Sequence, residues 1–156
     1  MNEKSKGQPR VRRAQARDVP AIIACVRAAY QVYVERMGKE PAPMLADYAA
    51  LTAADRVRVL ELDGRLAGAI VLFARGDHLF VETIAVDPAF QGRGLGRHLM
   101  DFAEAVARDR GLPAIRLYTN VHMTENLSFY DRLGYAVTGR VHEDGYDRVY
   151  FEKTVS

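Results

Sequence analysis

Residues 84–100 read Ile-Ala-Val-Asp-Pro-Ala-Phe-Gln-Gly-Arg-Gly-Leu-Gly-Arg-His-Leu-Met, an apolar run that passes through Asp87-Pro88 into alternating glycines and then a helical pattern. No other stretch limits the fold so strongly. A strand has to end where the glycines begin, and the helix that follows aims the positive end of its dipole back at the loop. Glycines at 92, 94 and 96 let main-chain N–H groups approach an anion with no Cβ in the way. The expected result is a phosphate cradle between a central strand and a helix N-terminus.

Spacing narrows the ligand. A dinucleotide fingerprint needs G-x-G-x-x-G, whereas this loop gives G-x-G-x-G with Arg97 at the third glycine position, in mid-chain. A P-loop fails as well, because no Lys-Ser or Lys-Thr pair follows the glycines. The pattern Gln91-x-x-Gly94-x-Gly96 after a strand ending in Asp-Pro resembles the acetyl-CoA-dependent N-acetyltransferases of the GNAT superfamily. A second region supports the resemblance independently. Ile115 to Thr119 is strand-like, Asn120 to Thr124 forms a loop, and then come Asn126, the pair Phe129-Tyr130 and the stop Leu133-Gly134-Tyr135. The resemblance covers residues 11–153, with its specific part in residues 80–135.

The resemblance implies an α/β fold: a mixed, mostly antiparallel sheet of six to seven strands, flanked by about four helices, with a splayed central strand pair that binds CoA. It implies transfer of acetyl from acetyl-CoA to a primary amine of a small molecule or protein by direct attack in a ternary complex. Backbone groups of Ile84, Ala85 and Val86 would pair with the pantetheine arm. The pyrophosphate would rest on the N–H groups of Gln91, Gly92, Gly94, Leu95 and Gly96, with Arg93 and Arg97 adding charge-assisted hydrogen bonds. Asn126 would contact the coenzyme, and Tyr130 would be both a coenzyme contact and the general acid. The alternative class is an acyl-CoA-binding regulatory protein that does no chemistry.

Residue spacing bears on these roles. Asn126, Phe129, Tyr130 and Leu133 stand at i, i+3, i+4 and i+7, so they share one helix face. A phenol there can protonate a departing thiolate, or can simply bury its ring beside Phe129 and Leu133. An amine of lysine-like pKa is protonated at pH 7 in all but roughly one molecule in two thousand, so a base is needed. Glu82 is the candidate, an acid in an apolar strand on the same face as Phe80, Ile84 and Val86; the plainer reading pairs it with an arginine on a neighbouring strand. For the acceptor, the resemblance points to the first two helices and the last hairpin. Tyr30, Tyr33, Glu35, Asp47 and Tyr48 are the candidates in the first region, and Glu143, Asp144 and Tyr146 in the second. His122 is a further candidate, and the mixture of acids and phenols suits a cationic amine.

The remaining pattern agrees with one domain over residues 11–156 behind a flexible tail at residues 1–10. Expected strands are 11–14, 57–62, 66–73, 79–86, 115–119, 136–141 and 148–153. A long first helix should follow an Asp18 N-cap and run to Gly38, a short one should cover 45–53, and later helices should start near Leu95 and Glu125. Asp63-Gly64 is a hairpin signal, and Gly111 closes the third helix. A net charge of +2 with no long basic block argues against a nucleic-acid partner. The single cysteine, Cys25, and the lack of an apolar leader fit a cytoplasmic protein with no membrane partner. No His/Cys/Asp cluster stands at metal spacing, and direct attack needs no metal. Homodimers are frequent in the family, so that assembly is an expectation.

Overall fold

The computed structural model describes residues 7–155. Seven strands and five α-helices follow one another as β1 (Arg10–Arg13), α1 (Val19–Tyr30), α2 (Val32–Met37), α3 (Tyr48–Ala53), β2 (Val57–Leu62), β3 (Arg65–Arg75), β4 (His78–Val86), α4 (Leu95–Asp109), β5 (Ala114–Asn120), α5 (Thr124–Arg132), β6 (Ala136–Glu143) and β7 (Tyr146–Thr154). The sheet order is β1-β2-β3-β4-β5-β7-β6. Strands β4 and β5 are parallel, in register from His78 with Ala114 to Val81 with Leu117, while β4 itself continues to Val86. The mixed, mostly antiparallel α/β sheet expected from sequence is present. Residues 1–6 of the expected tail lie outside the described residues, and its last residue, Arg10, opens β1.

The described chain forms two compact units, residues 7–71 with 83–102 and residues 72–82 with 103–155. In the first unit β1, β2 and the start of β3 form an antiparallel meander. Its hairpin turns on Asp63 (φ 53°) and Gly64 (φ 76°), both in the left-handed region that a tight primed turn demands. Ile22 and Val26 of α1, Leu60, Ile70, Leu99 and Met100 are wholly buried. Each such aliphatic side chain contributes about 1.5–3 kcal/mol by leaving water. At Gly68 the backbone of β3 runs so close to β4 that a Cβ would sit 2.9 Å from the Ala85 carbonyl oxygen.

Three expectations for this unit need correction. The long first helix is two helices, because the Val34 N–H bonds the Gln31 carbonyl three residues back (3.2 Å) and the regular ladder skips a step there. Gly38 (φ 73°) then ends α2 as expected. Asp18 occupies the N-cap position of α1 but makes no side-chain cap. Its carboxylate accepts from the Gln15 N–H at 2.7 Å and from Arg12 at 2.8 and 2.9 Å. That pairing holds the Asp18 carboxyl down at about 2, the Arg12 bonds outweighing the cost of burial. The second expected helix is shorter than 45–53: Ala42–Leu45 is a 3-10 turn, and Asp47 caps α3 by accepting from the Ala50 N–H at 3.0 Å.

In the second unit β7 is flanked by β5 and β6, both antiparallel to it. Asp144 (φ 54°) and Gly145 (φ 80°) make its hairpin turn. Leu79, Ile115, Leu117 and Phe151 are buried, whereas β6 is exposed along most of its length. Glu104 is 9% exposed and is held by Lys153 at 3.1 Å and the Tyr135 hydroxyl at 3.3 Å. Lys153 also donates to the Leu133 carbonyl at 2.9 Å, which satisfies one of the open carbonyls at the end of α5.

Candidate active site

The loop after β4 takes the shape its glycines allow. Asp87 accepts from the Ala89 N–H at 2.9 Å and starts the 3-10 turn Pro88–Phe90. Gly92 (φ 82°) and Gly94 (φ 75°) are left-handed, and a Cβ at either would meet open space. Glycine is required there by conformation, not by crowding. The Gly94 carbonyl accepts from the His98 N–H at 3.0 Å, so α4 begins at once. The N–H groups of Leu95, Gly96 and Arg97 in its first turn have no intrahelical acceptor. Gln91, Gly92, Arg93, Gly94 and Arg97 are exposed, Gly96 is half-buried and Leu95 is buried. N–H donors at a helix N-terminus behind two left-handed glycines fit an anionic phosphate.

Phe90 anchors this loop, 5% exposed, with the Arg93 guanidinium 5.5 Å and the Arg65 guanidinium 4.9 Å from its ring centre. Arg65 is a cation that the motif could not reveal, because it belongs to the β2–β3 hairpin. Its only sequence signal is its place beside the Asp63-Gly64 turn.

On β4, Glu82, Ile84 and Val86 are half-buried, while Val81, Thr83 and Ala85 are buried on the other face. Glu82 makes no ion pair among the described residues. The Ala85 carbonyl is turned toward Gly68. The Ile84 carbonyl accepts from the Tyr30 hydroxyl at 2.7 Å, and the Gln91 amide lies 3.4 Å from the Val86 carbonyl.

The second unit holds the helix motif. Asn126 donates to the Thr119 hydroxyl at 3.3 Å and contacts Met123 Sδ at 3.6 Å. Tyr130 is 3% exposed, its ring surrounded by Phe129, Tyr135 and Phe151 at centroid distances of 5.1, 5.8 and 5.6 Å. His122 is exposed, and its main-chain N–H donates to Asn120 Oδ1 at 3.0 Å.

Another face of this unit carries a row of rings, Phe73, Phe80, Tyr118 and Tyr150, at successive centroid distances of 5.7, 5.7 and 5.4 Å. The Arg75 guanidinium lies 4.3 Å over Phe80, and Arg148 lies 4.2 Å over Tyr118. Arg148 bonds Glu143 at 3.0 Å and Asp144 at 3.2 Å, and Tyr150 donates to Glu143. Burial pushes the Tyr118 phenol up, with Glu82 among the negative charges that add to the shift. Burial and the bond to Glu143 push Tyr150 up to about 12. Sequence reading named Glu143, Asp144 and Tyr146 but missed Arg148 between them. The signal was the alternation Arg148, Tyr150, Glu152, which puts all three on one strand face.

Of the first-region acceptor candidates, Tyr30 and Tyr33 stand with ring centres 6.0 Å apart. Tyr33 is buried with Arg36 5.2 Å from its ring, Tyr48 is buried with its hydroxyl on the Pro43 carbonyl at 2.5 Å, Asp47 caps a helix, and Glu35 is exposed. Cys25 is buried, its thiol pushed up to about 12 by that burial. Among the described residues no group of His, Cys, Asp and Glu is arranged to hold a metal ion, and no helix is long and apolar enough to cross a membrane.

The model of the Acetyltransferase (GNAT) family matches residues 21–135. Mycothiol acetyltransferase of Thermomonospora curvata is 41% identical over 76 residues, covering 48% of this chain and 26% of that protein. Mouse N-alpha-acetyltransferase 80 is 46% identical over 57 residues, 36% of this chain and 17% of that one. The matched stretch is thus about a quarter or less of either relative's length. The PaiA N-acetyltransferase of Thermoplasma acidophilum, solved in complex with coenzyme A, superposes with a TM-score of 0.77 at 19% identity, covering 94% of this chain and 99% of that one. At that identity the likeness concerns the fold.

Proposed function

Because the chain belongs to the Acetyltransferase (GNAT) family, with the family model covering residues 21–135, we propose that it is an N-acetyltransferase that moves acetyl from acetyl-CoA to a primary amine. The observation that carries the proposal is the loop at 91–97, where two left-handed glycines lead straight into the open N–H groups of α4. Residues 11–156 act as one catalytic domain in this reading.

Acetyl-CoA supplies the activated acyl group. The chain supplies the rest. The N–H groups from Gln91 to Arg97 hold the pyrophosphate, helped by the Arg93 and Arg97 side chains. The β4 edge at Ile84 and Val86 pairs with the pantetheine arm and steadies the acyl oxygen. Asn126 contacts the coenzyme, and Tyr130 donates its proton to the departing thiolate. Glu82, half-buried and without an ion pair among the described residues, takes the proton of the incoming amine. Alignment of the two reactants contributes most, roughly 7–11 kcal/mol, against about 10²–10⁴-fold for the base. A cationic acceptor, small molecule or protein, fits the acids and rings around Glu82, Tyr118 and Tyr150.

The experiment is thermal unfolding with acetyl-CoA, using adenosine diphosphate and NAD as controls. A ligand bound only by the folded state raises the midpoint with its concentration. A shift specific to acetyl-CoA is expected, followed by CoA release with a panel of amines; equal shifts with the controls would remove the coenzyme assignment. Tyr130→Phe and Glu82→Gln should each slow turnover without ending it.

A further inference from the structure

The end of β4 has two unlike edges. Ala85 turns its carbonyl toward Gly68 of β3, and the Asp87 N–H donates to the Ala67 carbonyl at 2.8 Å. Strand alternation therefore sends the main-chain groups of Ile84 and Val86 to the opposite edge. Both acceptors on that edge are already engaged by this chain's own donors. Tyr30, the last residue of α1 and 6% exposed, donates its hydroxyl to the Ile84 carbonyl at 2.7 Å, and the Gln91 amide approaches the Val86 carbonyl at 3.4 Å. The N–H groups of Ile84 and Val86 share this edge and lie past Val81, the last residue of β4 in register with β5. The edge thus offers a pair of donors whose neighbouring acceptors are already engaged.

We propose that Tyr30 is a positioning residue for the acyl group: by holding the Ile84 carbonyl it fixes the peptide between the two donors and aims both N–H groups at carbonyl oxygens of bound acetyl-CoA, the thioester carbonyl among them. The inference rests on the acetyl-CoA reading above. The physical reason lies in the planar peptide. Pinning the oxygen of the 84–85 peptide restrains ψ of Ile84 and φ of Ala85, two of the torsions that relate the flanking N–H directions. An unpinned Ile84 carbonyl would also place a negative dipole beside the oxygen that gains charge during transfer. Tyr30 thus serves the main chain, whereas the sequence suggested an acceptor contact.

The test uses acetyl-CoA labelled with carbon-13 at the acetyl carbonyl, bound to the wild-type chain and to Tyr30→Phe. The wild-type resonance should move downfield on binding as the donors polarise the carbonyl. In Tyr30→Phe it should fall back toward the free-ligand position, and acetyl-CoA affinity measured by calorimetry should weaken about two- to tenfold, the worth of one hydrogen bond. A variant that binds with an unchanged resonance overturns the inference and leaves the coenzyme assignment standing. A wild-type chain that does not bind acetyl-CoA overturns both. If Tyr30→Phe lacks a cooperative unfolding transition, a ring-fluorinated tyrosine at position 30, a stronger donor, should move the resonance further downfield, and no movement overturns the proposal.

Discussion

Replacing Gly68 by alanine places a methyl carbon 2.9 Å from the Ala85 carbonyl oxygen, 3.3 Å from Leu99 Cδ1 and 3.7 Å from Leu60 Cβ. The nearest atom is backbone in a neighbouring strand, so no side-chain rotation relieves it. Overpacking of this kind costs about 1–3 kcal/mol. Against it stands the usual benefit of removing a glycine, because φ of Gly68 is not in the positive range and the less flexible unfolded chain of the variant contributes about 0.4–1 kcal/mol. The difference is a net loss of about 1 kcal/mol, which lowers the midpoint of a chain this size by about 2–4 °C. Calorimetry or circular dichroism measures it, with Gly139→Ala as the comparison. Gly139 also lacks a positive φ, but its Cβ would meet nothing within 4 Å, so that variant should hold or raise the midpoint. A higher midpoint for Gly68→Ala would refute the claim that β3 and β4 touch here too closely for any side chain.

Three other perturbations separate local causes. Gly94→Val should lower stability by about 1–2 kcal/mol through its left-handed φ, whereas Gly96→Ala, inside α4, should not; both should weaken acetyl-CoA binding at least about tenfold if N–H groups there meet phosphate, which calorimetry reads directly. Arg65→Ala should weaken acetyl-CoA binding at low salt by about two- to tenfold and much less at high salt, and an unchanged low-salt affinity would confine Arg65 to stacking on Phe90. Asp18 has its folded-state pKa below its unfolded one, so its contribution is complete above about pH 4 and disappears as pH falls toward 2; it amounts to roughly 1–2 kcal/mol, since Arg12 keeps 23% of its side chain exposed. Asp18→Asn should remove that part of the acid dependence in denaturant titrations.

Strand β2 was legible to the residue, and the turns at 63–64 and 144–145 announced themselves through residues that tolerate positive φ. The break at Gln31 was not legible, because Gln31 keeps helical torsions and only one hydrogen bond changes there. Asp18 illustrates a wider limit: its position signals a helix cap, yet its carboxylate is drawn away by an arginine six residues earlier.

Sequence alone determined the local shape of the loop after β4. Glycine positions, the Asp-Pro turn and the helical period act over a few residues, and torsional preference dictates the outcome within that range. Tertiary structure alone decided what each polar group on β4 can do. Whether the Ile84 carbonyl is open and whether Ala85 faces β3 depend on groups brought together from separate elements of the chain. A hydrogen bond acts over about 3 Å and is blind to sequence separation, so no spacing rule encodes which distant donor arrives first.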